Sequence, residues 1–160
     1  MIQSPHETGA APPLVIEGYA SRFNECDGSG DVIRFGAFAA SLQHRPATGV
    51  KMLWQHNPEK PIGHWLHMEE DTNGLYVQGE VCRGLCQSEE AIALVQKGIL
   101  DGLSIGFKTL RARKQSRTRH NIAAQQSADF CREVLAVDLW EISLVTFPLL
   151  TTARLQIAHL

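Results

Sequence analysis

The sequence predicts a mainly β fold of the α+β class: an antiparallel β-barrel or sandwich with helices packed around it. Three observations carry this. Several segments alternate apolar and polar residues with a period of two, as "GLSIGF" (Gly102–Phe107) does. "SEEAIALVQKG" (Ser88–Gly98) is the strongest helix, with an apolar stripe and signals at both ends. No regular strand–helix–strand alternation runs through the chain, which argues against a doubly wound parallel sheet.

Taken in order, residues 1–12 form a polar, proline-bearing stretch, expected as a flexible tail. "MIQSPHETGAAPP" has neither the basic start nor the apolar run of a signal peptide. "LVIEGYASRF" (Leu14–Phe23) reads as a strand, "NECDGSGD" as a turn cluster and "GAFAASLQ" (Gly36–Gln43) as a short helix. "VKMLWQH" (Val50–His56) is strand-like, with Met52, Trp54 and His56 on one face, and the prolines of "NPEKPIG" are expected to break it. "HWLHMEE" and "LYVQGEV" flank "DTNG", where Asn73-Gly74 signals a hairpin with a type I′ turn. In the strong helix Ser88 is the expected cap, Glu89 and Glu90 suit the dipole, and Gly98 closes it. Ser104 and Gly106 then share one strand face, opposite Leu103, Ile105 and Phe107, and Gly106 offers room for a substrate backbone.

From Gly102 to Ala128 there is no acidic residue, while Lys108, Arg111, Arg113, Lys114, Arg117 and Arg119 are basic. Residues 111–128 are therefore expected as a mobile basic excursion between strands. "EVLAVDLWEISLVTFP" (Glu133–Pro148) is a long apolar strand region ended by proline. The expected organisation is one domain over residues 13–148 and a short C-terminal segment over 149–160.

A chain of 160 residues buries roughly 68–70% of its unfolded surface and needs no staples. A net charge of −2 argues against a dedicated nucleic-acid binder, and the Lys108–Arg119 run lacks interleaved aromatics, so a solvated loop is the default. No stretch approaches a membrane span. Of Cys26, Cys82, Cys86 and Cys131, only Cys82 and Cys86 are close; with His64 and His67 they make a loose zinc pattern. Reduced, unpaired thiols in an intracellular protein are the simpler reading, and neither metal nor cofactor is expected.

Three polar residues lie in apolar strand contexts: His56, Ser104 and Glu141. Each alone fits a structural role, at a strand end, under a helix or on an outward sheet face. Together they are the set a hydrolase needs. A serine hydroxyl is a weak nucleophile without an adjacent base, histidine titrates near neutrality, and a carboxylate on its other nitrogen fixes the tautomer. Asp138 is the reserve third member, expected on the strand face opposite Glu141. His64 or His67 is an alternative orienting group.

Five blocks occur in order: "GYASRFNECDGSGDVIRFGAFAASL", "MLWQHNPEKPIGHW", "GLYVQGEV", "GILDGLSIGF" and "DLWEISLVTFP". Together they resemble the prohead proteases of tailed bacteriophages, over about Leu14 to Pro148. The resemblance implies a fold similar to herpesvirus assemblin, a β-barrel ringed by helices, and a serine endopeptidase of capsid maturation. It implies Ser104 as nucleophile, His56 as base and Glu141 as third member. It also implies scaffolding protein, or a scaffolding segment of the major capsid protein, as substrate, together with the protease itself, inside the immature capsid. Phages, prophages and gene transfer agents carry such relatives. Activation by assembly or by forming a homodimer fits a protease that is harmful when active early. The sequence rival is a non-catalytic barrel that binds scaffold during capsid assembly. After Pro148 the chain reads "LLTTARLQIAHL", where many relatives carry an "AN-P" type stretch.

Overall fold

The computed structural model describes residues 11–114 and 131–158. The strands are β1 (Leu14–Arg22), β2 (Asp31–Ile33), β3 (Lys51–Trp54), β4 (Asn57–Glu70), β5 (Gly74–Val81), β6 (Gly102–Lys114), β7 (Arg132–Val145) and β8 (Leu155–Ile157). The helices are α1 (Ala39–His44) and α2 (Cys86–Gln96), with a 3₁₀ turn over Ala47–Gly49. The sheet runs β2-β7-β3-β4-β5-β1-β8, and β6 lies along the other edge of β7. Its ends meet where Gly102 bridges Arg154, the Leu103 N–H donates to Ala153 O and the Leu155 N–H donates to Asp101 O. The result is a curled, half-barrel sheet around one apolar cluster that includes Ile16, Met52, Trp65, Leu103, Ile142 and Leu144.

The sheet is mainly antiparallel, as expected, and its two parallel pairings are those of β2 and β3 with β7. The chain from β2 to β3 travels along one edge of β7 in a single direction. Where it leaves the ladder, the first helix region stands in: Ala37 O accepts from Val137 N–H, Ser41 Oγ from Leu139 N–H, and Arg45 donates to Leu139 O. Those contacts satisfy strand groups that a buried edge would otherwise leave unpaired.

Several expected boundaries move. β4 begins at Asn57 and runs through both prolines of "NPEKPIG"; register shifts at Met52/Leu53 and Leu53/Trp54 put Pro58 and Pro61 on an irregular stretch that needs no regular donor. The hairpin at "DTNG" forms, but neither Asn73 nor Gly74 has positive φ; the Asp71 carboxylate instead accepts from the N–H groups of both. α2 starts at Cys86, so Ser88 lies inside it and bonds Leu85 O, while the Glu89 carboxylate reaches back to the Gly84 N–H. Gly98, at φ 65°, follows the helix as expected. β2 and β8 have no counterpart in the sequence reading.

The C-terminal segment joins the fold, since β8 pairs with β1 and Ala153 and Leu155 are buried. Arg111, Arg113 and Lys114 belong to β6, paired with β7, so the ladder reaches into the expected excursion. Its remainder, with Arg117 and Arg119, lies outside the described residues, as does most of the expected tail. No helix among the described residues is long and apolar enough to cross a membrane.

Candidate active site

His56 is not on a strand face. Gln55 and His56 are the two central residues of the turn joining β3 to β4, at φ 55° and 58°. Positive φ at both positions is the requirement of a type I′ hairpin, usually met by Asn and Gly. Two larger side chains hold that geometry only where the surroundings enforce it. Here the turn is pinned to the end of β7. The Gln55 N–H donates to Leu144 O, the Gln55 side chain exchanges hydrogen bonds with Thr146, and the His56 N–H donates to Ser143 Oγ.

Glu141 and Ser104 come from the β6–β7 ladder. Ser104 pairs with Ser143 and Gly106 with Glu141, and directly paired residues project to the same face. Ser104, Gly106, Glu141 and Ser143 therefore share one face, and Leu103, Ile142 and Leu144 turn into the core. His56 Nδ1 lies 2.6 Å from Glu141 Oε1. The histidine side chain is 41% exposed and the glutamate 14%. Ser104 is buried at 5% residual exposure. Among the described residues His56 Nε2 and the Ser104 hydroxyl make no hydrogen bond, so both have hydrogen-bonding capacity to spare.

The hydrogen bond to Glu141 raises the pKa of His56 above the ordinary imidazole value; desolvation opposes the shift and is outweighed. The ring thus holds a proton on Nδ1 against a carboxylate while Nε2 is available as a base. That is chemistry for drawing a proton from a hydroxyl and stabilising the imidazolium that forms.

Gly106 makes room for the Glu141 carboxylate. A Cβ built there would sit against Glu141 Oε1 and within 2.7 Å of its Cδ. Gly106→Ala is expected to displace the carboxylate, lower stability by about 1–3 kcal/mol and move the His56 titration down toward 6.5, the ordinary value. NMR titration of the ring and urea unfolding check both.

The reserve residue also moves. Between Gly106↔Glu141 and Phe107↔Leu139 the register slips, leaving Trp140 as an extra residue on β7. Asp138 therefore shares a face with Glu141, contrary to expectation, but it is taken by Arg45 at 3.1 Å and Trp140 Nε1 at 2.6 Å. His64 faces Glu80 and His67 faces Glu69, each at 3.5 Å, so neither orients His56. Cys82 Sγ lies 3.8 Å from His64 Nδ1, but no group of three or more metal-binding side chains gathers among the described residues, and the zinc pattern does not assemble. All four cysteines are free. Cys26 and Cys131 nevertheless lie with Sγ atoms 3.0 Å apart, which the spacing in sequence did not foretell. Their mutual hydrogen bond, with burial second, pushes Cys26 up to about 11.

Residues 2–159 match the sequence model of the caudovirus prohead serine protease family. The chain is 37% identical over 105 residues to the prohead protease of Enterobacteria phage HK97, an alignment covering 65% of this chain and 46% of the phage protein. It therefore spans less than half of that relative's length. Among solved structures, KSHV protease in complex with a hexapeptide phosphonate inhibitor superposes with TM-score 0.52 at 14% identity, over 92% of this chain and 65% of that one. Varicella-zoster virus protease superposes with TM-score 0.51 at 10% identity, over 89% and 62%. At such identities these two herpesvirus proteins speak to the fold alone, and both share the curled β architecture.

Proposed function

The chain belongs to the caudovirus prohead serine protease family, and from that premise we propose that it is a serine endopeptidase using Ser104, His56 and Glu141. The observation that carries the reading is the 2.6 Å contact between His56 Nδ1 and Glu141 Oε1, with Ser104 on the sheet face that holds Glu141. His56 Nε2 accepts the Ser104 proton as Oγ bonds to the scissile carbonyl carbon. Glu141 holds the tautomer and stabilises the imidazolium. The same ring proton then goes to the leaving amine as the C–N bond breaks. Water repeats the sequence to release the acyl group and restore Ser104. The substrate is a segment of scaffolding protein or of the major capsid protein, and of the protease itself, cut inside the immature capsid. An extended segment suits recognition beside a sheet, where backbone pairing gives affinity and side-chain pockets give selection.

Labelling with a fluorophosphonate tests the serine. Intact mass should rise by one adduct, and digestion should place it on the peptide containing Ser104. Ser104→Ala should take up none. An unlabelled parent chain, or an adduct on another serine, overturns the assignment and favours a scaffold-binding role without catalysis.

A further inference from the structure

Ser143 is a fully buried hydroxyl, at 0% exposure, in a strand otherwise filled at its neighbours by Ile142, Leu144 and Val145. A buried hydroxyl is costly unless its hydrogen-bonding capacity is used. Here it is used twice, and both partners belong to the candidate site. Ser143 Oγ donates to Glu141 Oε2 at 2.6 Å and accepts from the His56 backbone N–H at 3.1 Å. One atom thus restrains the carboxylate oxygen that His56 does not touch, and anchors the turn that carries His56. It is no rival nucleophile, because its proton is directed at Glu141 and its contact with His56 is to the backbone. Through Leu53 on one side and Ser104 on the other, it also sits in register with both neighbouring strands.

Resting on the serine-protease reading above, we propose that Ser143 is a positioning residue that locks Glu141 and the His56 turn into one rigid unit behind Ser104. Without it, Glu141 Oε2 loses this donor and the His56 N–H loses its acceptor, in a turn of two non-glycine residues at positive φ. Misplacement by about 1 Å at such a site costs on the order of 100-fold in rate.

The test is the rate of inactivation of the full chain by a fluorophosphonate, resolved into a binding constant and a maximal rate across the neutral pH range. Ser143→Ala is expected to lower the maximal rate by roughly 10–100-fold, with the binding constant held within about twofold. The acid limb should move to higher pH, because a carboxylate that loses a donor becomes more basic and holds the imidazolium longer. Ser143→Thr, which keeps a hydroxyl, should recover most of the rate. A parent-like maximal rate and an unmoved limb in Ser143→Ala overturn the proposal. Should that variant fail to fold by circular dichroism, Ser143→Cys, similar in size with a weaker donor, reads the same quantity, and a parent-like rate there overturns it equally. Ser104→Ala runs alongside. If it is labelled as fast as the parent, the serine-protease reading itself fails, whatever Ser143 does.

Discussion

Replacing Ser104 with alanine is expected to lower kcat by about a million-fold, and replacing His56 in the same chain to lower it little further. The lack of additivity is the informative part. A base without its nucleophile has no proton to take, and a nucleophile without its base is an ordinary hydroxyl. Each single loss therefore removes the whole unit, and the double variant repeats it. Independent roles would instead multiply. Cleavage of a co-expressed capsid protein carrying its scaffolding segment, followed by quantitative mass spectrometry, gives the three rates. Near-multiplicative losses would mean that the two residues do not act on one proton. Unchanged circular dichroism separates lost chemistry from lost fold.

Glu141→Gln carries the second large effect, a fall in kcat of roughly 10⁴-fold. The glutamine amide can donate to His56 Nδ1, which moves the ring proton to Nε2, the atom that must accept from Ser104. The pH dependence has a definite sign. In the proposed mechanism His56 is a base only when neutral, and its pKa is raised chiefly by the Glu141 hydrogen bond. Parent activity should therefore fall, on acidification, through a value above 6.5. In Glu141→Gln that cause is gone, so the residual activity should persist to lower pH. A limb at the same pH in both proteins would show that another group governs it.

Much of this site was legible in the sequence. The alternation of "GLSIGF" placed Ser104 on the face away from Leu103, Ile105 and Phe107, and the isolated acid in "LWEISLV" marked Glu141. Less visible was the extra residue in β7, yet its trace was there: the apolar positions Val137, Leu139, Ile142 and Leu144 run at spacings of two, three and two. The step of three is a bulge, and counting through it without a phase change misplaced Asp138. The His56 turn left no such trace. Residue types that favour positive φ occur at Asn73-Gly74, where the chain does not use them, and are missing at Gln55-His56, where it does. Local chemistry was overridden there by long-range partners on β7, which no short window contains. Ser143 escaped for a related reason, since a serine between leucine and isoleucine looks like filler until its hydroxyl is seen bonded to both neighbours of the site.

The β6–β7 ladder holds two clusters apart. From the Ser104↔Ser143 pair the ladder continues to Lys114↔Arg132, a span of about 33 Å at a strand's rise per residue. Near its far end Glu133 is gripped by Arg34 and Arg113, and Asp31 by Arg132. Those ion pairs fasten one end of the ladder, and the face carrying Ser104, Glu141 and Ser143 lies at the other. A change of charge at the ion-paired end therefore reaches the His56–Glu141 contact only across that length of paired backbone.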